Sequence, residues 1–317
     1  MAKISITGGT GFIGRKLVRA HLDRGDDVRV LTRDSEKYTN FADNLQLFKG
    51  DLRSDSSALK SFVEGTDILY HCAGEIRDPS KMEQTNILGT QNLIAASKRY
   101  VGRWVQLSSV GVYGPRRNGL VDECEPCAPV GPYEMSKARS DHIVLQAAQT
   151  GDIALSVLRP SNVFGSEMSA QYLFQLISTI EKGLFFYIGE PGTVFSGVHV
   201  DNVVNALILC GTKESSNWEI YNLSDELLLE EFVRIIAGKL KKREPTIRVP
   251  EKLIRFTASR LERLPGFPLT KSRIDALTTR TIYSSNKIKA RLGYRHLVSI
   301  EEGIEEIVRA RSWVAKL

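Results

Sequence analysis

Tyr133 and Lys137 stand four residues apart in Tyr133-Glu134-Met135-Ser136-Lys137. On a helix those positions share one face, one turn apart. An ammonium that close stabilises a phenolate and lowers its pKa from about 10 toward neutrality. A phenol tuned in this way exchanges a proton with a carbinol or carbonyl oxygen. A serine is available upstream, in Ser108-Ser109-Val110-Gly111-Val112-Tyr113-Gly114. Its hydroxyl can donate to the same oxygen and hold the tyrosine in register. The bland alternative is a surface helix pair without chemistry.

Such groups need a scaffold, and the N-terminus supplies its signature. Thr7-Gly8-Gly9-Thr10-Gly11-Phe12-Ile13-Gly14 follows an apolar strand pattern (Ile4, Ile6) and opens a helical one. Gly8 supplies the sharp turn, Gly11 lets a pyrophosphate approach the backbone, and Gly14 lets the helix pack closely. The helix N–H groups and positive dipole end then face the phosphates.

Strand and helix patterns alternate from there. Strands are expected at Lys3–Thr7, Val28–Thr32, Leu45–Phe48, Ile68–Cys72, Trp104–Ser108 and Ala154–Leu158. Helices are expected at Phe12–Arg24, Ser56–Glu64, Met82–Arg99 and Tyr133–Ala148. Apolar strands alternating with helices call for a parallel sheet covered on both faces. Right-handed crossovers make it doubly wound. The expected fold is therefore α/β, a Rossmann-type parallel sheet of about seven strands with a smaller, partly interleaved C-terminal substrate lobe. Residues 1–165 form the expected dinucleotide-binding domain. Residues 166–317 form mainly the lobe, with some segments returning to the sheet. Helical patterns at Leu229–Lys241, Glu251–Leu264 and Glu301–Val314 belong to it. Glu251–Leu264 is amphipathic and basic, which reads as a solvated flank, with membrane-surface contact as the alternative.

The composition is that of a soluble globular chain: 317 residues, 42% hydrophobic and 25% charged. The net charge of +6 and pI near 9.1 are a mild surplus, with Lys and Arg interspersed among Asp and Glu. A basic pocket for an anionic ligand accounts for it without nucleic acid. No apolar run is long enough to span a membrane, and a cytoplasmic location is expected. Cys72 and Cys210 lie in apolar runs and read as small buried hydrophobes, and Cys124-x-x-Cys127 falls in a Pro-rich loop without a second ligand pair. No metal site is expected, and His21, His142 and His296 read as structural.

Taken in order, these motifs resemble the extended branch of the short-chain dehydrogenase/reductase superfamily, the NAD-dependent epimerase/dehydratase family. Gly50-Asp51-Leu52, His71-Cys72-Ala73-Gly74, Asn86, Leu158-Arg159-Pro160-Ser161-Asn162-Val163, His199-Val200-Asp201-Asn202 and Leu292-Gly293-Tyr294 extend the likeness along nearly the whole chain. The resemblance implies Ser109 as the triad serine, Tyr133 as acid/base, and Lys137 on both the tyrosine and the nicotinamide ribose. It implies cofactor contacts from Gly8, Gly11, Phe12, Ile13 and Gly14. It also implies Asp51 and Leu52 at the adenine, Ala73 and Gly74 along the cofactor path, and Pro160, Asn162 and Val163 near the nicotinamide.

Arg33 lies 19 residues after Gly14, at the tip of the second strand, with Asp34 next to it. An arginine there pairs with a 2′-phosphate and favours NADP, whereas an acidic residue favours NAD. NADP is the expected cofactor, with NAD the alternative. Phe195 stands where nucleotide-sugar members often carry an arginine, and Val110-Gly111 replaces the acidic pair of the dehydratases. Hydride transfer at a secondary alcohol or ketone is thus the leading expectation. A nucleotide-sugar 4-epimerase with retained cofactor is the runner-up, and a non-catalytic cofactor sensor the third reading. The expected partners are a small-molecule substrate (a sugar nucleotide in the epimerase case) and a second copy in a homodimer.

Overall fold

Ile4 and Ile6 alternate with Ser5 and Thr7 on β1 (Lys3–Thr7), and all four are buried, so this strand lies inside a covered sheet. The computed structural model describes residues 1–34, 43–53, 57–98, 100–151, 153–168, 171–261 and 270–314. After β1 come α1 (Phe12–Asp23), β2 (Asp27–Thr32), β3 (Leu45–Lys49), α2 (Ser57–Val63) and β4 (Thr66–His71). Then follow α3 (Pro79–Met82), α4 (Gly89–Ser97), β5 (Val101–Leu107), β6 (Asn118–Val121), α5 (Pro132–Gln149) and β7 (Ala154–Pro160). The second half comprises β8 (Asn162–Phe164), α6 (Gln171–Glu181), β9 (Tyr187–Ile188), β10 (Val194–His199), α7 (Val200–Thr212), β11 (Glu219–Leu223) and β12 (Asp225–Leu228). It continues with α8 (Leu229–Lys239), β13 (Arg248–Val249), α9 (Glu251–Leu261), α10 (Lys271–Ala276), β14 (Arg280–Tyr283), α11 (Asn286–Leu292) and α12 (Ile300–Val314).

The central sheet has seven strands in the order β11-β7-β5-β4-β1-β2-β3. Every neighbouring pair is parallel. The order reverses beside β1, so the connections leaving β1 and β4 run to opposite faces and leave a crevice beyond the strands' C-terminal ends. One face is packed by α1 and α7, through Leu17, Val18, Val203 and Leu207. The other face is packed by α2, α4 and α5, through Phe62, Leu93 and Val144. A separate core under α6, α8 and α12 includes Leu173, Ile177, Phe232, Ile236 and Ile304.

The helical stretch expected over Met82–Arg99 is not one regular helix. Its first turn, α3, is capped by Asp78, whose side chain accepts from Ser80 N. Residues Glu83–Leu88 then widen into a π turn before α4 begins. Short ribbons hold the lobe against the sheet. β10 pairs with β8 and β12, β9 with β13, and β6 with β14.

Candidate active site

The crevice beyond the strand ends is a long groove whose two halves share Gly8, Gly11, Cys72, Ala73 and Gly74. Gly8 takes φ +70°, which a side chain would resist, and a Cβ there would meet Ala73 N at 2.6 Å. A Cβ on Gly14 would lie 2.2 Å from the Gly8 carbonyl oxygen, so the turn closes only around a bare helix residue. Gly11 is the N-cap of α1 and no side chain caps the helix. Its first N–H groups are thus free of side-chain partners at the mouth of the groove. That cradle fits the pyrophosphate of a dinucleotide.

One half of the groove, about 270 Å³, is lined by Leu31, Arg33, Asp34, Asp51, Leu52, Arg53 and Lys81. Sequence reasoning missed Arg53 and Lys81. Arg53 grips Asp51 by Nε at 3.0 Å and Nη2 at 2.6 Å, which holds the Asp51 carboxyl below its ordinary pKa. The resemblance signalled Asp51 and Leu52, whereas the arginine clamp two residues after Asp51 carries no motif of its own.

The other half, about 520 Å³, gathers Ser109, Tyr133 and Lys137 with Phe12, Ile13, Pro160, Asn162 and Val163. Ser109 lies just past β5, and Tyr133 and Lys137 begin α5. The outer wall adds Ile76, Arg77, Met168 and Tyr172, none of them singled out in the sequence. Ser109 Oγ accepts from Gly111 N at 3.1 Å, which fixes it at the head of a 3₁₀ turn. Among the described residues no hydrogen bond joins Tyr133 to Ser109. Glu134, also passed over, folds its carboxylate across the two glycines flanking this corner. A Cβ on Gly131 would meet Glu134 Oε2 at 2.1 Å, and one on Gly111 would meet Glu134 Cγ at 2.8 Å.

The electrostatics differ from the sequence expectation. Lys137 is buried, and its Nζ donates to the Leu107 carbonyl at 2.5 Å. Burial lowers its pKa, and Asp141, one turn further along α5, opposes that shift. The Tyr133 phenol is not lowered toward neutrality. Burial, with Glu134 and Asp141 nearby, pushes it up to about 12. The i, i+4 pair shares a face, but desolvation outweighs the ammonium, which is committed to a backbone oxygen.

Two buried networks hold the corner. Thr90 Oγ1 donates to Asn86 O at 2.6 Å, so His71 Nε2–H donates to Thr90 Oγ1 at 3.0 Å and Nδ1 accepts from Thr7 Oγ1 at 2.7 Å. Asn86 Nδ2 donates to Ser136 Oγ at 2.8 Å, and Ser136 Oγ donates to Tyr133 O at 2.7 Å. The π turn thereby holds the start of α5. The second network runs through Asp141. Ser108 Oγ donates to Asp141 Oδ2 at 2.7 Å, and Arg159 reaches the same oxygen by Nε and Nη2 at 3.2 Å. Arg159 Nη1 donates to Tyr113 OH at 3.0 Å, and Tyr113 OH donates to Asn222 Oδ1 at 2.8 Å. Ser108 and Arg159 are the chain neighbours of Ser109 and Pro160, and Asp141 lies one helical turn past Lys137.

The family model of the "NAD dependent epimerase/dehydratase family" matches residues 4–224, a span that holds the glycine turn, Ser109, Tyr133 and Lys137. The chain belongs to this family. It is an extended short-chain dehydrogenase/reductase, and the family's enzymes are NAD-dependent oxidoreductases, dehydratases and epimerases. It is 28% identical over 322 residues to a 4-hydroxy-2-methyl-3-oxo-4-farnesyl-3,4-dihydroquinoline-1-oxide ketoreductase of Stigmatella aurantiaca, covering 96% of this chain and 95% of that protein. It is 34% identical over 330 residues to a dTDP-glucose 4,6-dehydratase of Streptomyces niveus, covering 96% and 91%. The solved UDP-glucuronic acid 4-epimerase from Bacillus cereus, in complex with NAD, has the same fold, with TM-score 0.77, 19% identity and coverage of 98% and 99%.

Among the described residues no cluster of His, Cys, Asp and Glu could hold a metal ion, and no helix is long and apolar enough to cross a membrane. Cys210 is buried, whereas Cys72 is partly exposed and lines the groove, and Cys124 and Cys127 are free and exposed. Phe195 is stacked on Phe232, with ring centroids 3.8 Å apart and 12° between planes.

Proposed function

We propose that this enzyme reduces a carbonyl to a secondary alcohol, with NADP preferred over NAD. The observation that carries this reading is the convergence of Ser109, Tyr133 and Lys137 on one cavity with the glycine turn. When bound, the nicotinamide supplies the hydride. The residues of the chain supply the rest. A phenol held at about 12 keeps its proton at neutral pH. It can donate that proton to the oxygen of a carbonyl that accepts hydride, which is the reductive direction when the reduced cofactor is bound. Ser109 donates a second hydrogen bond to that oxygen. Lys137 holds positive charge beside the developing alkoxide. Arg33, at the far end of the groove, pairs with a 2′-phosphate.

Phe195 supports a carbonyl compound over a sugar nucleotide. Its ring is packed into the apolar lobe core, so it offers no charge to a diphosphate. The likeness to a UDP-glucuronic acid 4-epimerase keeps 4-epimerisation as the second reading. The two separate in one experiment. The enzyme is mixed with NADPH and a panel of cyclic and bulky ketones, and in parallel with UDP-glucose. The reductase reading expects stoichiometric loss of reduced-cofactor absorbance with a ketone. Conversion of UDP-glucose without net cofactor turnover would replace it with the epimerase.

A further inference from the structure

The positive surplus of this chain is not evenly interspersed, contrary to the first impression of its sequence. Residues 241–261 carry seven Lys or Arg and two Glu, a net +5, while the whole chain carries +6. This stretch ends in α9. One face of α9 is anchored: Ile254 and Ala258 are buried with Ile188 and Ile274 in a small core. Beside that face Arg255 binds Glu251 at 2.6 Å and Asp275 at 2.7 Å. At about 100° per residue, Lys252, Phe256, Arg260 and Leu253 follow one another round the opposite arc. Leu253 and Phe256 are 53% and 57% exposed, and Ile247, on the approach to the helix, is 66% exposed. The Arg260 guanidinium lies 4.7 Å over the Phe256 ring.

The cations divide into two sets. Arg248 and Arg255 are paired with carboxylates. Lys241, Lys242, Arg243, Lys252 and Arg260 make no ion pair among the described residues. A helix anchored along one side, with exposed apolar and cationic side chains mixed on the other, matches a segment lying in a lipid headgroup layer. Charge decides between occupants. A second copy of this chain would bring the same +5 against it. A nucleic acid would use the cations but leave three large apolar side chains in water.

We propose that residues 241–247 and the outer face of α9 bind the surface of an anionic membrane, with Ile247, Leu253 and Phe256 entering the headgroup layer and Lys241, Lys242, Arg243, Lys252 and Arg260 meeting lipid phosphates. The proposal is independent of the catalytic reading, because binding can be measured without turnover.

The test is co-sedimentation of the full chain with large vesicles of phosphatidylcholine alone or with about 30 mol % phosphatidylglycerol, at about 50 and about 500 mM NaCl. Binding is expected to the anionic vesicles only and to weaken at high salt. Each basic residue near such a surface is worth about fivefold, so Lys252→Gln with Arg260→Gln should weaken binding about 25-fold. Leu253→Glu should weaken it about tenfold or more through lost apolar contact. All three positions are exposed, and unchanged thermal melting and NADPH titration serve as the fold control. If Leu253→Glu alters the melt, the Gln double variant decides. No binding of the folded wild type to anionic vesicles at low salt would overturn the proposal. So would equal binding by the variants, or variant-sensitive binding to duplex DNA in place of vesicles.

Discussion

Asp141 and Arg159 form an ion pair at 3.2 Å with 2% and 4% of their side chains exposed. Ser108, the chain neighbour of Ser109, donates to the same carboxylate, and among the described residues Asp141 Oδ1 has no hydrogen-bond partner. Burial raises the Asp141 pKa, while Arg159 and Lys137 pull it back. Removing one partner of a buried pair strands the other charge, at about 3–5 kcal/mol. Asp141→Asn should therefore lose about that much stability in urea unfolding. The combined Asp141→Asn and Arg159→Met change should recover part of it, because the guanidinium is no longer stranded while Lys137 still lacks its carboxylate. A single variant as stable as wild type would show that the pair contributes nothing.

His71 gives the protein a pH dependence of predictable sign. Burial lowers its pKa to about 3, with Lys137 adding to the effect. The unfolded chain takes up the proton near pH 6.5, well before the folded one does. Stability from neutral His71 is thus complete above about pH 6.5 and lost as the pH falls toward 3. The slope approaches about 1.4 kcal/mol per pH unit. Urea midpoints at pH 7, 6, 5 and 4 should fall more steeply in wild type than in His71→Asn. Parallel slopes would mean that His71 is not the group responsible.

The glycine turn can be probed by size. A Cβ at Gly14 would stand 2.2 Å from the Gly8 oxygen, but one at Gly11 only 3.2 Å away. Gly14→Ala must displace the turn, while Gly11→Ala adds a methyl group at the helix entrance. We expect Gly14→Ala to lose at least about tenfold in NADPH affinity, equal to about 1.4 kcal/mol, by fluorescence titration. Gly11→Ala should lose less in turn geometry but still crowd the phosphates. Unchanged affinity in both variants would remove the pyrophosphate from this cradle.

What the sequence revealed was local. The turn at Gly8–Gly14 and the Tyr133–Lys137 spacing need only neighbours along the chain, and both line the groove. The strands gave the sheet because each carries a short apolar set and alternates with a helix, even where one face is polar, as with Ser5 and Thr7 on β1. The features that stayed hidden depend on distant partners. Arg159 meets Asp141 across 18 positions of sequence, and β6 finds β14 only in the folded lobe. Glu134 looked like an ordinary helix residue until Gly111 and Gly131 left room for its carboxylate. The upward shift of Tyr133 is hidden for the same reason: spacing reports which groups are near, but burial depends on the whole fold.

Arg33 lines the far end of the groove with Asp34, Asp51 and Arg53. Arg53 is already clamped to Asp51, so Arg33 is the better placed of the two to meet a 2′-phosphate. A charge-assisted bond of this kind contributes about 1.5–3 kcal/mol, hence tenfold or more. Arg33→Ala should lose that factor for NADPH and almost nothing for NADH in parallel titrations. Equal losses for both cofactors would assign Arg33 a purely structural role.

Tyr133 is the proton donor of the proposed reduction, and its environment sets how it should behave. With the phenol near 12 in the free protein, ultraviolet titration should show one tyrosinate fewer at pH 11 than an exposed tyrosine would give. Several other tyrosines are also shifted upward, so the signal is assigned by difference with Tyr133→Phe. That variant keeps the ring and removes the hydroxyl group that carries the proton. Turnover should fall by about 10²-fold or more, with NADPH binding nearly unchanged. Ser109→Ala should lower turnover less, because it removes one hydrogen bond and no proton. Lys137→Met should cost both turnover and cofactor affinity, since its ammonium lines the same cavity. A Tyr133→Phe enzyme that turns over at the wild-type rate would remove Tyr133 from the acid role and assign the proton to another group of the cavity.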